Sequence, residues 1–329
     1  MPVKVAILSS HGFGDGLIQL SMAYNLHLNG FEVRYYSDFV YQLAEFISGP
    51  QSESVPSYDD ARQQLESADF ILYDSNSRFI EGAPRELTDW LAANGVCYSL
   101  ARSAPRHQSI SAEALAARCS AEARPLAKRF IRLNRSFRGL KLSLSGKPMA
   151  RHLVDTLADT LGLEKRSYHC CLDVPADAGA DVKKRVVMHP TSSSTRKNWR
   201  PEQFLQLAQR LERDGWHPVL TVAPNEYDEW LGIAGDACAV EAFATLADLA
   251  RYYVASAAFI GNDSGNAHLA SCLGLPNLVI FNRWRRHPLW RPAWGECKII
   301  YPDRPARSRW QERVSVERVY QRFVRMMNE

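Results

Sequence analysis

The stretch GNDSGNAHLA, residues 261–270, places a carboxylate (Asp263), a hydroxyl (Ser264), a glycine (Gly265) and an imidazole (His268) where an apolar run gives way to a helical one. A helix N-terminus presents unpaired N–H groups and about half a positive charge, so anionic oxygens are stabilised there. Gly265 lets the backbone approach such a ligand closely, while Ser264 and, one turn on, His268 add polar contacts. Asp263 would repel a phosphate; at the lip of the site its oxygens suit sugar hydroxyls instead. The competing reading is that Asp263 or Ser264 only caps the helix.

A second cluster, HPTSSSTRKNWRPEQF (residues 189–204), carries five hydroxyls from Thr191 to Thr195 and then Arg196 and Lys197. Hydroxyls and a cation at a strand end can hold a diphosphate, with Lys197 offsetting the charge that builds on a leaving phosphate. A Ser/Thr-rich loop that binds nothing is the alternative. The third cluster is HGFGDGLIQL, residues 11–20. Gly12, Gly14 and Gly16 approach a dinucleotide fingerprint, and Asp38 would suit a ribose, but the third glycine comes one residue early and Asp15 would face the pyrophosphate. A carboxylate on a glycine-rich lip is better placed to take a proton from an incoming hydroxyl. As a cap, Asp15 would do no more than start the helix.

Each cluster needs a strand to hold it. Val3 to Leu8, Phe31 to Tyr36, Asp69 to Tyr73 and Val96 to Leu100 read as strands, with a helix from residue 15 to 29 after the first. After the polar stretch 173–184 the alternation restarts. Strands are expected at 185–189, 217–222, 257–261 and, as the last, 277–281; helices at 201–214, 246–255, 266–273 and 315–327. Alternation of this kind predicts parallel α/β sheets. The expected organisation is an N-terminal Rossmann-like domain (1–172), a linker (173–184) and a C-terminal Rossmann-like domain (185–329) with a closing helix.

The composition fits that scheme. The chain has 329 residues, 46% hydrophobic and 23% charged, enough for two cores. A net charge of +4 is too small to imply a nucleic-acid partner. Twelve of the charges are Lys or Arg between Arg102 and Arg151, opposed only by Glu113 and Glu122, which predicts either a solvated helical face or an anionic ligand or membrane surface. The seven cysteines have no metal-site spacing and read as reduced thiols of a cytoplasmic protein. No apolar run approaches the roughly 20 residues of a spanning helix.

Gly14-Asp15, Lys197-Asn198-Trp199 with Pro201 and Phe204, Ala223-Pro224-Asn225-Glu226, and Gly261 to Gly265 with His268-Leu269-Ala270 follow one another over nearly the whole chain. In that order they resemble the heptosyltransferase-like glycosyltransferases of family 9, which build the inner core of lipopolysaccharide. The resemblance implies a GT-B fold, α/β with two Rossmann-like domains facing a central cleft. It also implies an inverting glycosyltransferase that takes a nucleotide-diphosphate sugar, ADP-heptose among them, and needs no metal or further cofactor. Carried over by position, Asp15 is the catalytic base, with Gly12 and Gly14 in the acceptor-side loop. Thr191, Ser192 and Lys197 contact phosphates, Glu226 the nucleotide ribose and Asp263 the donor sugar; Ser264, Gly265 and His268 lie beside the diphosphate. The implied partners are the donor and an anionic glycolipid or glycan acceptor, met in the cytoplasm or at the inner-membrane surface, with no nucleic acid. Two rival readings are an NAD-dependent oxidoreductase using the glycine turn and Asp38, and a non-catalytic sugar-nucleotide-binding protein of the same fold. The Arg/Trp-rich segment 283–294 is expected either to pack as a surface loop or to shape the donor or acceptor pocket.

Overall fold

The computed structural model describes residues 1–75, 77–100, 110–137, 146–175, 184–283, 287–303 and 309–329. The chain divides into two compact units, Met1–Leu172 and Asp173–Glu329. Most of the stretch expected as a linker, residues 176–183, lies outside the described residues.

The first unit runs β1 (Lys4–Leu8), α1 (Phe13–Leu28), β2 (Glu32–Tyr36), a 3-10 segment (Val40–Phe46), β3 (Gln51–Glu53), α2 (Tyr58–Glu66), β4 (Phe70–Asp74), α3 (Arg78–Gly82), α4 (Arg85–Asn94), β5 (Val96–Tyr98), α5 (Ala112–Arg118), α6 (Ala127–Ser136) and α7 (Met149–Leu161). Its sheet has the order β3-β2-β1-β4-β5, parallel throughout. Strands covered on both faces must be apolar along their whole length rather than alternating. FILYD of β4 is buried at all five positions, and β1 at four of five. Ile71, Tyr73, Leu65, Leu87 and Leu91 join β4 to α2 and α4 in one core cluster.

The second unit runs β6 (Arg185–His189), α8 (Pro201–Arg213), β7 (His217–Val222), α9 (Tyr227–Ala234), β8 (Ala239–Ala242), α10 (Leu246–Val254), β9 (Ala258–Asn262), α11 (Gly265–Cys272), β10 (Asn277–Ile280), α12 (His287–Trp290), β11 (Cys297–Ile300) and α13 (Val316–Asn328). Its parallel sheet has the order β11-β10-β9-β6-β7-β8. α8 buries Phe204, Leu207, Ala208 and Leu211, one stripe at helical spacing, and α13 buries Val319, Tyr320, Phe323 and Met326 in the same core. Ser315 starts α13 by accepting a hydrogen bond from Arg318 N.

In both sheets the chain builds outward from a central strand to one side and then returns to build the other. The reversals fall between β1 and β4 and between β6 and β9. Doubly wound sheets bind ligands outside the carboxyl ends of their strands at such points.

Several sequence expectations need correction. The strand at 277–280 is not the last, because β11 follows it and pairs with it. β3 and β8 were not anticipated: QSE and AVEA are short edge strands without a continuous apolar run. Cys97, Cys119, Cys171, Cys238 and Cys297 are reduced thiols.

Part of the basic segment also turns inward. Arg118 donates to the carbonyls of Ala68 (3.0 Å), Asp69 (3.0 Å) and Asn94 (3.1 Å), and Arg129 to that of Leu161 (2.7 Å). Lys147 pairs with Asp155 at 2.9 Å. Arg118 and Arg129 thereby close strand and helix ends of their own unit, while the Lys147 pair stays exposed. Arg102, Arg106, Arg138 and Lys141 lie outside the described residues. Among the described residues, no helix is long and apolar enough to cross a membrane, and no group of three or more His, Cys, Asp or Glu could hold a metal ion.

Candidate functional site

The β6/β9 reversal gathers the second and first sequence clusters. β6 ends on His189, a fully buried imidazole whose Nδ1 donates to Thr221 O (2.7 Å) at the end of β7. The carbonyl can only accept, so the proton is on Nδ1 and Nε2 is left to accept from Asn266 Nδ2 (3.0 Å) in the first turn of α11. Tyr253 OH in turn donates to Asn266 Oδ1 (3.4 Å). Burial pushes the His189 pKa down to about 4, outweighing the Thr221 bond and the Glu226 charge that favour protonation. His189 therefore works as a neutral strut between β6, β7 and α11.

Asn262, the last residue of β9, clamps the loop from the other side. Its Nδ2 donates to Pro190 O (2.7 Å) and its Oδ1 accepts from Trp199 N (3.0 Å). Trp199 is buried edge-on against Phe204, and its Nε1 donates to Val314 O (2.8 Å). The adjacent Gly261 has to be glycine: a Cβ there would lie 2.6 Å from Phe259 Cζ and 3.0 Å from His189 O. Arg200 pairs outward with Glu312 at 2.9 Å.

Each residue named from the sequence can now be placed. Thr191 Oγ1 donates to Glu226 Oε2 (2.9 Å), which also accepts from Ala223 N (3.1 Å). Ser192 Oγ donates to Asn198 Oδ1 (2.6 Å). Both hydroxyl protons are thus committed within the protein, so toward any further group these side chains can act only as acceptors or by exchanging partners. Lys197 Nζ lies 3.2 Å from Asp263 Oδ2. Ser264 stands at the N-cap position of α11 but makes no capping bond, and its Oγ is buried with no partner among the described residues. The reading of Asp263 or Ser264 as a mere cap is therefore set aside. Gly265 opens α11. His268 Nδ1 is likewise buried and unpartnered. Burial, with a smaller contribution from Lys197, lowers its pKa to about 4 against the opposing pull of Asp263, so the ring is neutral.

Behind His268 stands Trp294, whose ring meets the imidazole edge-on at 6.2 Å and whose backbone N–H donates to Ser271 Oγ (3.0 Å). The Arg/Trp-rich segment thus backs the site at its last residue; residues 284–286 lie outside the described ones. The β6/β9 end therefore combines a helix N-terminus, an ammonium, two unpartnered polar side chains and two carboxylates. The first three suit the oxygens of a diphosphate, and the carboxylates suit hydroxyls on its flanks.

In the first unit, the β1/β4 reversal holds a fully buried polar network. Asp74 Oδ2, at the end of β4, accepts from Ser10 Oγ (2.5 Å) and Gln19 Nε2 (2.7 Å). Gln19 Oε1 accepts from Ser10 N (3.0 Å) and Tyr98 OH (2.9 Å). This network holds the residues entering the glycine turn. Gly12 is the N-cap of α1, and Asp15 lies in its first turn, so Asp15 is not the cap. A Cβ on Gly12 would be 3.2 Å from Asp15 Oδ2, so the absence of one leaves room for the carboxylate. Gly14 lies in the same turn of α1. At Gly16 a Cβ would be 2.9 Å from Val40 Cγ2: the third glycine serves packing rather than a pyrophosphate. Asp38, the ribose contact of the oxidoreductase reading, pairs with His11 at 3.3 Å.

Sequence reasoning assigned no task to His189, Asn262, Asn266, Gln19 or Asp74. The signal available was a polar residue at the end of an apolar strand or inside an apolar helix, as in RVVMH, AFIGN, FILYD and LIQL.

The profile of glycosyltransferase family 9 (heptosyltransferase) matches residues 147–313, half of the chain. No curated protein sequence matches it. Among solved structures, it is similar to a family 9 glycosyl transferase of Veillonella parvula (14% identity, 99% of this chain and 97% of that one, TM-score 0.69). It is also similar to ADP-heptose lps heptosyltransferase II of E. coli (13%, 99% and 99%, TM-score 0.68) and to E. coli heptosyltransferase WaaC with ADP-2-deoxy-2-fluoro heptose (16%, 98% and 99%, TM-score 0.62). At these identities the likeness is one of fold, and it covers both units. It lends no support to the oxidoreductase reading or to that of a non-catalytic binding protein.

Proposed function

Since the chain belongs to glycosyltransferase family 9, we propose that it is an inverting glycosyltransferase moving a sugar, heptose in the first instance, from a nucleotide-diphosphate donor to a lipopolysaccharide-core or related glycan acceptor. The observation that carries this reading is the convergence at the β6/β9 reversal of Lys197, Ser264, His268 and the start of α11 with the carboxylates Glu226 and Asp263. The diphosphate takes the helix N-terminus, Lys197 and the polar groups of Thr191, Ser192, Ser264 and His268. Glu226 accepts from ribose hydroxyls and Asp263 from those of the donor sugar. WaaC binds a fluorinated ADP-heptose, which makes ADP-heptose the first donor to test.

In the first unit Asp15 acts as general base. It takes the proton of the acceptor hydroxyl as that oxygen attacks the anomeric carbon from the face opposite the leaving diphosphate, and the configuration inverts. Lys197 and the α11 N-terminus offset the charge that grows on the departing phosphate. Gly12 and Gly14 keep the acceptor-side loop open around Asp15. The acceptor is an anionic glycolipid or glycan, met at the inner-membrane surface.

A thermal-shift screen of ADP-, UDP-, GDP- and dTDP-sugars, followed by a transfer assay with the donor that raises Tm most, tests the reading, because a ligand bound only to the folded state stabilises it. Asp15→Asn is expected to retain donor binding and lose at least about 100-fold in turnover, as for removal of a general base. Lys197→Ala is expected to weaken donor binding. Equal loss of donor affinity in both variants would refute the division of labour.

A further inference from the structure

Asp263 does more than accept hydroxyls, an inference that rests on the donor-site reading above. From its pairing with Lys197 we infer that Asp263 makes the anion site selective for a diphosphate that still carries its sugar over a bare one. The two side chains meet at 3.2 Å and are 36% and 20% exposed, so solvent reaches the pair and it can open. Their backbones are tied down: Asp263 N donates to Ile280 O (3.1 Å), and Lys197 N to Ser194 O (2.9 Å). Opening therefore needs only side-chain rotation.

Any anion that takes Lys197 competes with the Asp263 carboxylate for one ammonium. His268 does not relieve the contest, because it is buried and uncharged. A sugar diphosphate brings hydroxyls that donate to Asp263, so the carboxylate exchanges one partner for another. A bare diphosphate brings none and leaves two like charges side by side. The same pair thus admits the donor and, once the glycosyl bond is broken, favours departure of the nucleoside diphosphate.

Titration calorimetry with inorganic pyrophosphate at fixed low salt tests this on the full chain as wild type, Asp263→Asn, Lys197→Ala and the double variant, with Asp263→Ser as a second replacement should the first not fold. Asp263→Asn is expected to bind pyrophosphate roughly 3- to 10-fold tighter than wild type, the scale of a partly exposed ion pair plus a removed repulsion. In the Lys197→Ala background the gain should be clearly smaller, because the contest for Lys197 disappears with Lys197 and only the repulsion between Asp263 and the anion is left to remove. A gain of equal size in both backgrounds would mean simple repulsion and overturn the inference, as would no gain or no measurable binding in either wild type or Asp263→Asn. If pyrophosphate binds but Lys197→Ala leaves its affinity unchanged, the anion is held elsewhere, and the donor-site reading fails with it.

Discussion

His189 and His268 occupy the same site as uncharged rings, each with a pKa lowered to about 4 chiefly by burial. The unfolded chain, with imidazoles near 6.5, takes up protons first on acidification. The stability these two rings contribute is therefore complete above about pH 6.5 and is lost as pH falls from there toward 4, up to about 3 kcal/mol for each. Urea melts of wild type, His189→Gln and His268→Gln between pH 7 and pH 4.5 check this: each variant should show a shallower decline than wild type. A decline of unchanged steepness in both would show that the rings do not stay neutral in the fold. The same residues illustrate what a side-chain list conceals. Thr191 and Glu226 were assigned to phosphate and ribose separately, yet they share a hydrogen bond, so neither can move without the other losing a partner.

At the scale of elements, the site depends on how β6 and β9 end. Both strands stop on a polar residue, His189 and Asn262, and those two side chains tie the strand ends to α11 and to the loop before α8. Replacing Asn262 with Leu would leave Pro190 O and Trp199 N without their partners, at about 1–3 kcal/mol for each buried group. The expected loss is about 2–4 kcal/mol in denaturant melts. Trp199→Phe gives up only the bond to Val314 O and should cost about 1 kcal/mol beyond its change in packing. An Asn262 variant as stable as wild type would show that the loop is held by packing alone. In the first unit Gln19 has the equivalent task, joining α1 to β5 and to Ser10 in the turn after β1 that leads to Asp15.

For the whole molecule, each unit has its own sheet and core. Leu91→Ala in the first core and Phe204→Ala in the second should cost about 2–5 kcal/mol each. Hydrogen exchange is expected to accelerate for amides of the substituted unit, and acceleration spread evenly over both would contradict two separate cores. Much of this plan was legible in the sequence, because strands buried on both faces must be apolar throughout, and VAIL, FILY, VVM and AFI stand out between polar turns. The glycine-rich turn, GNDSG and the Ser/Thr loop were legible for a similar reason: residue types at strand ends limit the chemistry available there. Only the tertiary structure decided which of those groups meet. That Lys197 faces Asp263, that Thr191 serves Glu226 and that Ser264 Oγ and His268 Nδ1 have no hydrogen-bond partner among the described residues all follow from how strands distant in sequence lie side by side. Local composition sets what a strand end can offer; the order of strands in the sheet sets what that offer meets.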